Sequence, residues 1–99
     1  MDRSVQVEVT NNNWMDMTVH AVRGGTRVRL GTVTTGSSQR FDLPRSLNAR
    51  AGDLHLVADP IGSQRMHQSR PIMVEPGGLV RWSLENHLAL SSFSVAMRR

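Results

Sequence analysis

Hydrophobic and polar residues alternate along much of this chain, which is the pattern of β-strands with one buried face. The segments "SVQVEVT" (residues 4–10) and "DLHLVADP" (residues 53–60) show the alternation most clearly. In the second segment it predicts that Leu54, Leu56 and Ala58 point into a core. We therefore expect strands rather than helices through most of the sequence.

Two glycines predict a hairpin in the first third of the chain. Gly24 and Gly25 separate the strand-like runs "MTVHAVR" and "TRVRLGTV", and tight hairpin turns favour glycine because their central residues need positive φ. A two-residue loop here brings the apolar partners of the two strands onto one face. The predicted pairs are Arg23–Thr26, Val22–Arg27, Ala21–Val28, His20–Arg29 and Val19–Leu30.

A second hairpin is predicted near the C-terminus, where "LVRWSLE" and "LALSSFSVAM" alternate on either side of Asn86 and His87. A two-residue loop there directs Leu88 and Leu90 outward. Small residues then face large ones, as a packed face requires. The predicted pairs are Val80–Phe93, Trp82–Ser91 and Leu84–Ala89.

The other segments are shorter. "RFDLP" is expected to turn Phe41 and Leu43 inward and to stop at Pro44, since proline lacks the amide that a strand ladder uses. "PIMVEPGG" predicts a further short strand, "IGSQRMHQSR" a polar loop, and "RSLNARAGD" the one stretch able to hold a helical turn.

Seven or eight strands at a spacing of roughly 8–12 residues are typical of an all-β sandwich. We predict a single antiparallel β-sandwich domain over residues 1–99, immunoglobulin-like in outline, with a small closed barrel as the alternative. The length suits one domain, and no linker or internal repeat divides the chain.

Composition narrows the chemistry. The chain has no Cys, which excludes disulfides, thiol nucleophiles and thiolate metal sites. No apolar run approaches the roughly 18 residues of a membrane-spanning helix, and the N-terminus lacks the apolar core of a signal peptide. Either the protein is cytosolic or a leader has been removed.

We expect no catalytic, cofactor or metal site. The histidines and one methionine could in principle bind copper, but blue-copper sites use a Cys, and no two of these residues show the spacing of neighbours on one strand face. These candidates are His20, His55, Met66, His67 and His87. No nucleophile-elbow, phosphate-loop or zinc-helix motif occurs, so we expect a protein that is not an enzyme.

Arginine supplies all of the basic side chains, with twelve Arg, no Lys and a formal net charge of +4. Arg27 and Arg29 lie side by side on the outer face of one predicted strand, with Arg23 and Arg40 as neighbours. Guanidinium groups bind oxyanions through paired hydrogen bonds, which suggests salt-dependent binding of a polyanion, either nucleic acid or acidic polysaccharide. The alternative is a solvated face whose like charges oppose aggregation.

The stretch "TNNNWMDM" offers a different surface. Asparagine tolerates left-handed backbone and bonds its own chain, so the asparagines are expected to shape an end loop, in which Asn12 and Asn13 are candidate protein contacts. Trp14 either covers the open end of the sandwich or stands in water as a protein contact, since Trp is common at interface hot spots. Leu88 and Leu90 are the other candidate contacts, either for self-association or for an unknown protein partner.

The segments "VEVTNNNWMDMTVHAVRGGTRVRLGTV", "FDLP", "LHLVADPIGS" and "IMVEPGGLVRWSLENHLALSSFSV" together resemble a group of small uncharacterised bacterial β-sandwich proteins of the secreted or lipoprotein type. The last segment is also similar to the late strands of immunoglobulin-like and transthyretin-like modules. The resemblance implies an exported, envelope-associated domain, periplasmic or extracellular. The chain lacks a leader and a lipid-attachment Cys, so a cytoplasmic location also fits.

No activity, cofactor or site residue comes with this resemblance. Taken with the surfaces above, it leads us to expect a non-enzymatic accessory or binding module of the bacterial cell envelope that acts through protein contact. Polyanion binding through the arginine face is the alternative.

Overall fold

A computed structural model describes residues 5–44, 47, 54–62, 66–69, 71–74, 77–85 and 92–97. The described chain is all-β, with two four-stranded sheets packed against each other as in a β-sandwich. The strands are β1 (Gln6–Asn11), β2 (Met17–Arg23), β3 (Thr26–Val33), β4 (Ser38–Asp42), β5 (Leu54–Pro60), β6 (His67–Gln68), β7 (Gly78–Leu84) and β8 (Ser92–Met97). We call the sheet with strand order β4-β1-β7-β8 the β1 sheet, and the sheet with order β3-β2-β5-β6 the β2 sheet.

The first and seventh strands meet in the middle of the β1 sheet. β1 lies between β4 and β7, and it runs parallel to β7, with Val7 beside Val80 and Val9 beside Trp82. The other named pairings are antiparallel. The prediction of a wholly antiparallel sandwich is therefore wrong at one ladder. Local alternation does not reveal the relative direction of two strands that are remote in sequence.

The β2–β3 hairpin forms around Gly24 and Gly25, as predicted, and Gly24 has the positive φ of 57° that the turn requires. The predicted pairs from Arg23–Thr26 to His20–Arg29 are confirmed. Beyond them Val19 pairs with Gly31 instead of Leu30. Leu30 is thus the extra residue of a β-bulge, which shifts the rest of β3 by one position.

β7 and β8 pair in a different register from the predicted one. Val80 lies opposite Val95 and Trp82 opposite Phe93, so the predicted partners Phe93 for Val80 and Ser91 for Trp82 are wrong by two residues. A shift of two keeps every residue on the same face of its strand. Alternation therefore could not distinguish the two registers.

The segment predicted to be a polar loop contains an edge strand. In β6, His67 pairs with Ala58 of β5. Ser69 comes directly after β6 and is buried. Its Oγ accepts a hydrogen bond from the backbone N of Leu56 at 2.9 Å. The Ser69 backbone N donates in turn to the Leu56 carbonyl oxygen at 2.8 Å. β6 and Ser69 therefore supply hydrogen-bond partners to backbone groups of β5 that would otherwise have none at this edge.

Two other predictions concern the neighbouring segments. The strand expected in "PIMVEPGG" is reduced to a single bridge between Ile72 and Leu54. The proposed helical turn in "RSLNARAGD" lies outside the described residues apart from Leu47, which is buried in the core. Within the described chain, no helix is long and apolar enough to cross a membrane.

The core fills the space between the sheets. Leu54, Leu56 and Ala58 are fully buried, as the alternation of β5 predicted. Leu43 is buried and Phe41 packs against the core while partly exposed, which confirms the inward face of "RFDLP". The largest fully buried side chains are those of Trp82, Met17, Leu47, Leu54, Leu56, Ile72 and Leu84.

Candidate functional site

The loop that follows β1 is held by the side chain of Asn11, which is fully buried. Its Nδ2 donates to the carbonyl oxygens of Met15 and Val33, both at 2.9 Å. Its Oδ1 accepts from the backbone N of Asn13 at 2.9 Å. One amide thus satisfies three backbone groups, and it ties the loop to the last residue of β3.

Asn12 and Asn13 fasten the same loop to the end of β7. Asn13 Nδ2 donates to the carbonyl oxygen of Glu85 at 2.8 Å, and Asn13 Oδ1 accepts from the backbone N of Met15 at 3.0 Å. Asn12 Nδ2 donates to the carboxylate of Glu85 at 3.0 Å, and its backbone N donates to the Leu84 carbonyl oxygen at 2.7 Å. Asn13 thus bonds its own loop, as predicted. Asn12 instead bonds Glu85, and no described residue other than glycine has the left-handed backbone that asparagine tolerates.

Asp16 connects this loop to two others. Its Oδ1 accepts a hydrogen bond from the backbone N of Thr35 at 2.9 Å, and its carbonyl oxygen accepts from the backbone N of Ile61 at 2.9 Å. The hydroxyl of Thr35 donates to the carbonyl oxygen of Asn13. Three separate connections between strands are thereby joined into one hydrogen-bonded end of the sandwich.

Trp14 stands in water on this bonded loop, with 78% of its surface exposed, and the neighbouring Met15 is also exposed. The interpretation in which the indole covers the open end of the sandwich is therefore wrong. The core beneath is instead closed by residues such as Met17 and Leu84, which are fully buried. A large exposed aromatic side chain on an ordered loop is a typical feature of a contact site.

Other exposed apolar side chains gather at the same end. Ile61 follows β5 and Met66 precedes β6, where this pair of strands ends beside Asp16. Of the large hydrophobic residues exposed in the described chain, Met73 alone lies elsewhere, after the bridge at the opposite end of β5. We call the surface made by residues 12–16, 34–37 and 61–62 together with Met66 and Glu85 the Trp14 end.

The charged groups of the Trp14 end are carboxylates. Asp16 and Glu85 belong to it, and Asp59 lies one residue before the end of β5 beside it. Among the residues that define this end there is no arginine or histidine. Among the described residues, this end therefore combines exposed apolar side chains with the carboxylates of Asp16 and Glu85.

The outer face of the β1 sheet has its own charges paired. Glu8 lies between Arg40 of β4 and Arg81 of β7. Its carboxylate oxygens are 2.8 Å from Arg40 Nη2 and 3.8 Å from Arg81 Nε. Arg40 is therefore on the opposite sheet from Arg27 and Arg29, and it does not extend a common arginine surface as the sequence suggested.

The outer face of the β2 sheet gathers basic side chains around His20. In the strand registers, Arg29 lies directly opposite His20 on β3, and Val57 lies opposite it on β5. Two residues further along β2, Val22 lies between Arg27 of β3 and His55 of β5. Arg23 lies two residues from Ala21 on β2, so it shares the face of Ala21, which is opposite to the face of His20. We call His20, Arg27, Arg29 and His55 the His20 cluster.

The environment of His20 reflects this arrangement. Burial lowers its pKa first, and the guanidinium groups of Arg27 and Arg29 lower it further, while Asp59 opposes them. Val57, which lies opposite His20 on β5, is only 6% exposed, so the imidazole has a buried apolar neighbour. The sequence puts His20 and His55 on the outward faces of different strands, and it does not show that these strands, β2 and β5, are neighbours.

The remaining candidates form no site among the described residues. His67 stacks on the buried Trp82 with ring centroids 5.7 Å apart, and no group of three potential metal ligands occurs in the described part of the chain. The predicted contacts Leu88 and Leu90, and His87, lie outside the described residues. Comparison with known proteins adds nothing to these surfaces, since no family model and no curated protein sequence matches the chain.

Proposed function

We propose that this chain is a non-enzymatic binding module that acts through protein–protein contact, with the Trp14 end as its contact surface. The observation that carries the proposal is the exposure of Trp14 on a loop whose own polar groups are engaged by Asn11, Asn13 and Asp16. A rigid anchor loses little conformational entropy when it binds. Tryptophan is also among the residues that contribute most to interface free energy.

The partner that fits this surface is a second protein with an apolar pocket for the indole and basic residues around that pocket. The exposed Met15, Ile61 and Met66 give the contact an apolar centre beyond Trp14 itself. The carboxylate of Asp16 favours a positively charged group of the partner beside the indole. The loop need not rearrange on binding, because its hydrogen bonds are already formed in the free chain.

We also propose that the module belongs to the bacterial cell envelope, in a periplasmic or extracellular location, and that its sandwich is immunoglobulin-like. The location is supported by the resemblance of the sequence to secreted and lipoprotein-type sandwich proteins. The fold class is supported by two packed four-stranded sheets that exchange strands along the chain. Fractionation of the source cells with an antibody against the chain tests the location, and recovery with cytoplasmic markers contradicts it.

The contact is tested by replacing Trp14 and, as a matched control, Met73, an exposed apolar residue at the other end of β5. Proteins captured from source cells by the wild-type chain are first identified, and the candidate partner is then purified. We expect Trp14→Ala to lower its affinity by at least about 2 kcal/mol, roughly thirtyfold. Met73→Ala should leave the affinity unchanged.

A second measurement reports on the surface directly. Acrylamide quenches the fluorescence of exposed tryptophan, so saturating partner should protect Trp14 from quenching. Equal affinities for wild-type chain and Trp14→Ala would overturn the proposal. Sedimentation that shows the chain pairing with itself through Trp14, with no second protein bound, would replace the separate partner by a second copy.

A further inference from the structure

The His20 cluster differs from the arginines of the opposite sheet in one respect. Arg40 and Arg81 share the carboxylate of Glu8. Within the described chain, Arg27 makes no hydrogen bond or ion pair, and Arg29 donates only to the hydroxyl of Thr32, at 3.1 Å. The guanidinium groups of Arg27 and Arg29 thus keep their charge available to a ligand.

The geometry of the sheet brings Arg27, Arg29 and His20 within reach of one anionic group, and His55 lies farther away, beyond Val22. Arg27 and Arg29 are two residues apart on β3, about 6.8 Å along the strand. His20 lies opposite Arg29 on the next strand, about 4.8 Å away. His55 lies two strands from Arg27, with Val22 between them. Side chains opposite or diagonal on one face can contact the same group.

We propose that His20, Arg27, Arg29 and His55 bind the sulfate groups of an acidic polysaccharide, and that binding is coupled to uptake of a proton by His20. This site is independent of the Trp14 end and of the protein contact proposed for it. Forked guanidinium donors suit tetrahedral oxyanions. A protonated imidazole between them adds a further charged donor.

The class of polyanion follows from what the face lacks. Single-stranded nucleic acids are bound largely by stacking bases on aromatic side chains. Within the described residues, the outer face of the β2 sheet carries arginine, histidine, valine, threonine, glutamine and aspartate, but no Trp or Phe. A polymer recognised by its anionic groups alone therefore fits this face better than one read through its bases.

The proton coupling follows from the groups that face His20. Arg27 and Arg29 approach it from β3, and His55 and Asp59 from β5. In the free chain, burial and the two arginines lower its pKa, against the smaller opposing effect of Asp59. A bound oxyanion cancels the positive potential of the arginines, which favours the charged imidazole. Affinity should therefore rise as pH falls below neutrality.

The test uses heparin as the probe and measures binding by calorimetry at pH 7.5 and 5.5, at low salt, with the full chain. We expect heparin to bind about tenfold more tightly at the lower pH, the equivalent of one charge-assisted hydrogen bond. His20→Gln should remove most of that gain. Arg27→Gln should weaken binding about tenfold at both pH values.

Arg81→Gln is the matched control, because it removes the same charge from the outer face of the other sheet. It should leave heparin affinity nearly unchanged. Equal losses for Arg27→Gln and Arg81→Gln would mean that net charge alone attracts heparin, and this would overturn the site. Absence of binding at low salt, or equally tight binding of single- or double-stranded DNA, would overturn the proposed ligand class.

Discussion

The aromatic ring of Phe41, on the edge strand β4, lies over Gly31 on the edge strand of the facing sheet. A β-carbon at residue 31 would be 2.6 Å from Cε1 of Phe41, far closer than carbon atoms can approach. Phe41 also packs on the core. The bulge at Leu30 places glycine rather than leucine opposite Val19, so the two sheets can close at this edge.

Gly31→Ala should therefore destabilise the protein. The added methyl group would push the Phe41 ring out of its position, and overpacking of this kind costs about 1–3 kcal/mol. Urea unfolding followed by circular dichroism measures the loss. Gly25→Ala is the control, because a β-carbon there meets nothing within 4 Å and no positive φ is involved.

The cause can be separated from a general intolerance of alanine in β3. Phe41→Leu replaces the ring with a smaller side chain, so in the Gly31→Ala background it should recover part of the lost stability. In a double-mutant cycle, this recovery appears as a favourable coupling between residues 31 and 41. A Gly31→Ala chain as stable as the wild type would show that the edge is looser than its geometry indicates.

Asn11, the last residue of β1, should be the most sensitive of the positions that hold the Trp14 end in place. Asn11→Ala leaves the carbonyl oxygen of Val33 without its donor in a buried site, which costs about 1–3 kcal/mol. Asn12→Ala removes only an exposed contact to Glu85 and should change the free energy of unfolding by less than about 0.5 kcal/mol. Chemical denaturation of both variants gives the comparison, and equal losses would contradict it.

The two tryptophans should give separable fluorescence signals. Trp82 is buried in the core and Trp14 is exposed, and the chain has no tyrosine to add a third emitter. We expect Trp14→Phe to remove the red-shifted, acrylamide-quenchable part of the emission and to leave the shielded part of Trp82. Unaltered quenching in Trp14→Phe would mean that the indole at position 14 is covered in solution.

Stability should fall in mild acid. Burial lowers the folded-state pKa of both His67 and His20, so below the ordinary histidine pKa of about 6.5 the unfolded chain binds more protons than the folded one. The free energy of unfolding should thus be largest above pH 6.5 and fall as pH drops through the folded-state pKa values. Urea titrations between pH 7.5 and 5.5 measure this.

His67→Phe separates the contribution of one histidine. The phenyl ring can keep the stacking on Trp82 but cannot take up a proton, so this variant should lose less stability between pH 7.5 and 5.5 than the wild type. An identical pH dependence in the two proteins would assign the whole effect to other groups.

Glu8→Gln should make the outer face of the β1 sheet basic, because it removes the carboxylate that pairs with Arg40 and Arg81. The bridges to Arg40 and Arg81 are solvent-exposed, so their loss should cost less than about 1 kcal/mol of stability. The two freed arginines should raise heparin affinity at both pH values without adding pH dependence. A decrease in heparin affinity would contradict the role assigned to Glu8.

Alternation along the chain was enough to identify most strands, because the period of two is a local property of each segment. It predicted the buried face of β5 and the turn at Gly24–Gly25, since a glycine with positive φ fixes the start of the register. The bulge at Leu30 could not be predicted, because the Phe41 ring that lies over the neighbouring Gly31 comes from the other sheet. The β7–β8 register was missed because a shift of two preserves each face.

The candidate surfaces were predicted in part. The self-bonding asparagines of the end loop follow from side-chain chemistry that acts within a few residues. The exposure of Trp14 depends on which residues close the core beneath it, and those come from other strands. The His20 cluster depends on β2 and β5 being neighbours, which the order of strands along the chain does not indicate.

The central place of β1 in its sheet has a consequence for biosynthesis. A ribosome delivers β1 well before β7, yet Gln6 pairs with Leu79 and Asn11 with Leu84. Closing so long a loop is entropically slow. Until β7 has emerged, one edge of β1 has no partner strand, and that unpaired edge is open to pairing with neighbouring molecules.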